Sequence, residues 1–112
     1  MDTLLTLTEK AQEHRDNAKD AMDRAFEWQR ATSKATNTNA RRSAYNEARG
    51  QATRAYVEST GAVRAAEEAY EQGDKKETSE AMKAAHKACK YADKADEAAE
   101  HAYDIAYEEY ED

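Results

Sequence analysis

Small and apolar residues recur along this chain in alternating steps of three and four. Positions 81, 85, 88, 92, 95, 99, 102 and 106 are all Ala. Positions 45, 48, 52, 55, 59, 62, 66 and 69 read Tyr, Ala, Ala, Ala, Ser, Ala, Ala, Ala. Positions 4, 7, 11, 14, 18, 21, 25 and 28 read Leu, Leu, Ala, His, Ala, Ala, Ala, Trp. This spacing keeps one face of a helix turned toward its neighbours and forms the seam of a left-handed bundle.

Punctuation divides the pattern into three helices. Thr6 and Glu9 fit a capping box, which starts a helix over about 6–34. The stretch ATNTN at 35–39 is polar and turn-prone. Thr38 or Asn39 is the expected cap of a second helix, about 39–72. Gly73 suits the left-handed residue after a helix end. Asp74 stands three before Glu77 and opens a third helix, about 75–111. Two short loops make sequential helices antiparallel. The fold class expected is all-α: an up-down-up three-helix bundle, with residues 1–112 as one domain.

A seam of Ala lets helix axes approach to the short end of the usual ~8–10 Å range. Each Ala removes little area from water, so the seam stabilises weakly per residue at ~25 cal/mol per Å². High helix propensity and flanking large residues are expected to supply the rest. The candidates are Met22, Phe26, Trp28, Tyr56, Val63, Tyr70, Met82 and Tyr103. Gly50 and Gly61 fall inside the second helix, where each costs ~1 kcal/mol against Ala. Either they permit close packing, which we favour, or Ser59-Thr60-Gly61 breaks the helix.

Composition agrees with this reading. The chain has 25 Ala, three Gly and no Pro among 112 residues, which leaves almost no room for a sheet. Few Leu, Ile, Val and Phe with a net charge of −7 is a signature of disorder, but the regular periodicity opposes it. One cysteine, Cys89, excludes an internal disulfide and fits a reducing, cytoplasmic setting. The first ten residues lack a signal peptide's basic region, and nothing approaches the roughly 20 apolar residues of a membrane span. Negative charge argues against anionic membranes and direct nucleic-acid binding.

Catalytic and metal chemistry find little support. Di-iron bundles use Glu-x-x-His, yet Ala11, Lys83 and Ala98 precede His14, His86 and His101 by three. His86 and Cys89 lie one turn apart without the second pair that a closed zinc site needs. There is no phosphate loop and no nucleophile elbow. No catalytic residue, metal or cofactor is therefore expected, and the chain is read as non-enzymatic. Arg41, Arg42, Arg49 and Arg54 with Tyr45 resemble a phosphate-contacting stretch, but neutralising acids on a neighbouring helix is the reading preferred.

The charge is concentrated at one end. Residues 93–112 hold nine acids against one base, Lys94. A helix C-terminus already carries about −0.5 of an elementary charge, so acids there are disfavoured. One stripe of the third helix reads Lys83, Lys87, Lys90 and Lys94, then Glu97, His101, Asp104, Glu108 and Glu111. Internal pairing with Arg41, Arg42 and Arg49 is one explanation of the acidic end. A partner site is the other: Glu97, Glu100, Asp104, Glu108 and Glu111 recur at helical steps, among Tyr103, Tyr107 and Tyr110.

These residues suggest a protein-binding module. In its sharpest form it is an acidic inhibitor, or nucleic-acid-mimic decoy, for a partner protein with a basic surface such as a nucleic-acid-binding protein. Phage-encoded inhibitors of restriction and CRISPR systems are alike in size and charge only. The alternative is a homo-oligomeric scaffold or homodimer, in which antiparallel copies of the third helix set Lys83, Lys87, Lys90 and Lys94 against the acidic half.

Overall fold

The computed structural model describes residues 6–108, which form three long helices. In the first, α1 (Leu7–Lys34), Thr6 is the N-cap: its hydroxyl accepts from the Glu9 N–H, and its own N–H donates to the Glu9 carboxylate, each at 3.0 Å. The bond from the Thr6 N–H, helped by the nearby Thr6 hydroxyl, favours the charged carboxylate and holds Glu9 below the usual carboxylate range. The next helix, α2, spans Thr38–Glu71. Its cap is Asn37, one residue before the expected pair. The Asn37 side chain accepts from the Ala40 N–H at 2.8 Å, and Asn caps more strongly than Thr.

The turn into α3 (Lys75–Tyr103) is a Schellman motif. Gly73 has φ 76°, its N–H donates to the Tyr70 carbonyl, and the Asp74 N–H donates to the Ala69 carbonyl. Asp74 also caps α3, accepting from the Glu77 N–H at 3.0 Å. One residue thus closes a helix and opens the next. Beyond Tyr103 the helix continues as a π-helical turn, Asp104–Glu108, and the expected end near residue 111 lies outside the described residues.

Cross-helix contacts fix the directions. His14 meets Glu58 and Asp20 meets Arg54, so α1 and α2 run antiparallel. Arg49 early in α2 meets Asp96 late in α3, while Tyr70 late in α2 and Met82 early in α3 line one groove, so α2 and α3 are antiparallel too. The Thr8 N–H donates to Glu77, and Gln29 meets His101, so α1 and α3 are parallel. The up-down-up bundle is long and thin, 59 × 29 × 14 Å between Cα atoms.

The core is alanine. Among the described residues, 23 hydrophobic side chains are buried, and all but Leu7 are Ala. All seven seam alanines of α3 are buried, and so is the eighth, Ala106 of the π-turn. The core falls into two clusters, with buried Ser59 between Ala55 of one and Ala62 of the other.

Most of the large residues expected to flank this core do not. Met22 and Phe26 pack against it, joined by Tyr45 and Tyr91. Trp28, Tyr56, Val63, Tyr70, Met82 and Tyr103 are exposed. Close helix axes leave no interior volume for long side chains, so these are displaced to the rims of the grooves.

No break occurs at Gly61, since α2 is continuous. A Cβ there would stand 2.7–2.8 Å from ring atoms of His14, so Gly61 makes room for an imidazole. Gly50 serves no close approach: a Cβ there meets nothing within 4 Å.

Candidate functional site

The C-terminal end of α3 gathers acids and tyrosines beside the start of α2. Tyr103 and Tyr107 are one helical turn apart and stack, with centroids 4.8 Å apart and planes at 28°. Tyr45 of α2 meets both edge-on, at 5.5 Å and 5.7 Å. Arg42 lies over the Tyr107 ring, 4.7 Å from its centroid. Offset and edge-to-face pairs of this kind add about 0.5–1.5 kcal/mol beyond the area they bury. The widened turn at Asp104–Glu108 coincides with this cluster, and π-turns inside helices are frequent at functional sites.

Glu97, Glu100 and Asp104 are exposed, and none enters an ion pair among the described residues. Glu108 belongs to the π-turn, which rotates the chain less per residue than an α-helix. The α-helical register that would carry one acidic face from Asp104 to Glu108 therefore changes at this point. Glu111 and Tyr110 lie outside the described residues. Lys83, Lys87, Lys90 and Lys94 are all exposed and form no ion pair among the described residues.

The arginines of α2 are engaged mainly elsewhere. Arg49 binds Asp96 at 2.9 Å, and its guanidinium is held protonated first by a hydrogen bond to Tyr45 and then by Asp96. Arg54 reaches Asp20 of α1 at 2.9 Å. Arg41 donates to the Ala35 carbonyl at 3.1 Å and so closes the end of α1. Arg49 and Arg54 thus neutralise acids on neighbouring helices, as preferred above. The internal pairing involves Asp96, which the sequence reading did not single out. Its signal was available, because Asp96 lies on the α2-facing side of the Ala92–Ala95–Ala99 seam.

A second polar cluster lies midway along α1 and α2. One Glu58 oxygen takes hydrogen bonds from Asn17 and His14, each at 3.0 Å. Partial burial works to raise the Glu58 carboxyl, but the bonds from His14 and Asn17 prevail and lower it. Asp20 is lowered by hydrogen bonds from Arg54 and Arg24.

Among the described residues no group of three or more His, Cys, Asp or Glu is placed to hold a metal, and no helix is long and apolar enough to cross a membrane. His86 is exposed and Cys89 half-buried on one side of α3. No protein-family model, curated protein or solved structure matches this chain, so the surface must be read from its own residues.

Proposed function

We propose that the chain is a non-enzymatic protein-binding module whose acidic pole occupies a cationic surface of a partner protein. In its sharpest form it is an inhibitor that presents carboxylates where the partner expects phosphates. The observation that carries this reading is the disposition of charge. Glu97, Glu100 and Asp104 face solvent without an ion pair among the described residues, while Arg42 lies on Tyr107 and Arg49 is clasped to Asp96. The adjacent Tyr103 and Tyr107 add rigid amphipathic contact area, the residue type enriched at interfaces. A reducing cytoplasmic setting, suggested by the lone Cys89, belongs to the same proposal.

The test is a pull-down from the source organism with wild-type protein and a triple variant, Glu97→Gln, Glu100→Gln and Asp104→Gln. Basic nucleic-acid-binding proteins retained by wild type and lost by the variant, with retention falling as salt rises, are the expected result. Partners retained equally by the triple variant would refute the acidic pole as the binding surface.

The scaffold reading has one observation in its favour: Lys83, Lys87, Lys90 and Lys94 line up exposed and without ion pairs among the described residues.

A further inference from the structure

Four of the displaced large residues lie along one side of the bundle, between α2 and α3. Tyr70 is 75% exposed, Tyr56 68%, Met82 57% and Val63 37%. Val63, Tyr70 and Met82 form the rims of a groove of about 580 Å³, with Ala66 and Ala85 in its floor. Tyr56 lines a neighbouring hollow between the same two helices, with Ala92 and Asp93. Taken together, the two neighbouring hollows cover about 21 Å along α2 from Tyr56 to Tyr70 at 1.5 Å per residue, or four helical turns. Small floor residues under large rims make a channel that side chains of Leu or Ile size can enter.

The charges beside the groove are mostly of one sign. Glu67 and Glu71 line it from α2, and Asp93 lines the neighbouring hollow from α3. The titratable neighbours on the α3 side are His86 and Cys89. Lys83, Lys87, Lys90 and Lys94 each follow Met82, His86, Cys89 and Asp93 by one residue, about 100° round α3, and none of them lines the groove. Arg64 lines a different hollow, with Lys10 and His14 of α1. Arg49, at the far end, is already bound to Asp96.

The geometry points to a docking channel for an amphipathic helix of a partner protein, with an apolar stripe flanked by Lys or Arg. Such a helix completes a four-helix bundle, laying its apolar residues between the rims and its cations against Glu67, Glu71 and Asp93. A second copy of this chain is the poorer occupant, because groove-to-groove pairing sets acids against acids. This inference rests on the protein-binding reading for its biological sense. It concerns residues other than the acidic pole, so the two fail separately.

The probe is a fluorescein-labelled synthetic helix of about 15 residues, a length matched to four helical turns, with a Leu stripe flanked by Lys. Controls are the same peptide with Glu for Lys and a scrambled peptide of equal composition. Anisotropy should show saturable binding of the Lys peptide alone. The double variant Val63→Gln, Met82→Gln alters two exposed side chains and should fold normally by circular dichroism. It should weaken binding roughly tenfold or more, as loss of anchor contacts does. Glu67→Lys with Asp93→Lys should reverse the preference toward the Glu peptide. Cys89, the single cysteine, reports location: its alkylation should slow when the Lys peptide is bound. The triple Gln variant of the acidic pole should leave Cys89 protection intact. Equal binding of the scrambled or Glu peptide overturns the proposal, and so does binding that leaves Cys89 unprotected. Self-association of the protein abolished by the Val63, Met82 variant overturns it as well, by assigning the groove to a second copy.

Discussion

His14 of α1 rests on Gly61 of α2, its ring atoms 2.7–2.8 Å from where a Cβ at position 61 would stand, while its Nδ1 meets Glu58 at 3.0 Å. The glycine is thus matched to the imidazole. Gly50 has no such partner. Gly50→Ala should therefore stabilise by about 1 kcal/mol through helix propensity alone. Gly61→Ala should gain less, because the ring must swing outward and release Glu58. Adding His14→Ala to Gly61→Ala should restore part of the missing gain. Thermal melts of the four variants form a double-mutant cycle, and additivity across it would show that the two sites are uncoupled.

The acid limb of stability should depend on Glu58. A carboxyl held low in the folded state contributes stability above the ordinary carboxylate range and loses it as pH falls through the depressed value. The melting-temperature difference between wild type and Glu58→Gln should be constant near neutrality. It should shrink toward zero as the solution is acidified. A difference that grows on acidification would contradict the hydrogen-bonded geometry.

Charge removal should act oppositely at neighbouring positions of α3. Asp96→Asn loses the Arg49 bridge, and a partly exposed pair of this kind is worth about 0.2–1 kcal/mol. Removing Glu97, Glu100 and Asp104 together has no described ion pair to break and relieves repulsion near the negative helix end. The triple Gln variant should melt at or above the wild-type temperature, and Asp96→Asn slightly below it. A clear loss of stability in the triple variant would indicate that these acids pair internally after all.

Ala95, fully buried in the α3 seam, should refuse enlargement. Ala95→Leu should cost about 1–3 kcal/mol, or separate the helices and lower cooperativity. Met82→Leu, on an exposed rim, should be nearly neutral. Denaturant titrations give both values, and a tolerated Leu at position 95 would show that the axes are not closely packed.

Under the main reading the chain is expected to be monomeric at moderate concentration. Light scattering that reports a dimer, lost when Lys83, Lys87, Lys90 and Lys94 are all exchanged for Glu, would establish the scaffold instead.

The helices were legible because their signals are local. Thr6 with Glu9, Gly73 and Asp74 act within a few residues of their own positions, and the Ala spacing specifies a face without reference to its neighbour. The exposure of Tyr70, Val63 and Met82 was not legible in the same way. It depends on how near two axes come, and hydrophobicity alone cannot say whether a large residue enters a seam or rides on its edge. The clasp between Arg49 and Asp96 was half visible: the arginine was noticed, and the acid was lost among nine in its segment. The π-turn had no sequence signal that we can name. It arises where Tyr103, Tyr107 and Tyr45 meet, which is a tertiary event.

An alanine interior has no rotamers to freeze. In most proteins ordering a core costs side-chain entropy as well as backbone entropy, and unfolding exposes enough hydrocarbon to give a large heat-capacity change. Here the first cost nearly vanishes, and methyl groups expose little area when they part. The heat capacity of unfolding should therefore be small for a chain of this length, and the curve of stability against temperature shallow. Such a bundle would change little in stability between cold and warm water, retaining modest stability over a wide span instead of a high maximum at one temperature.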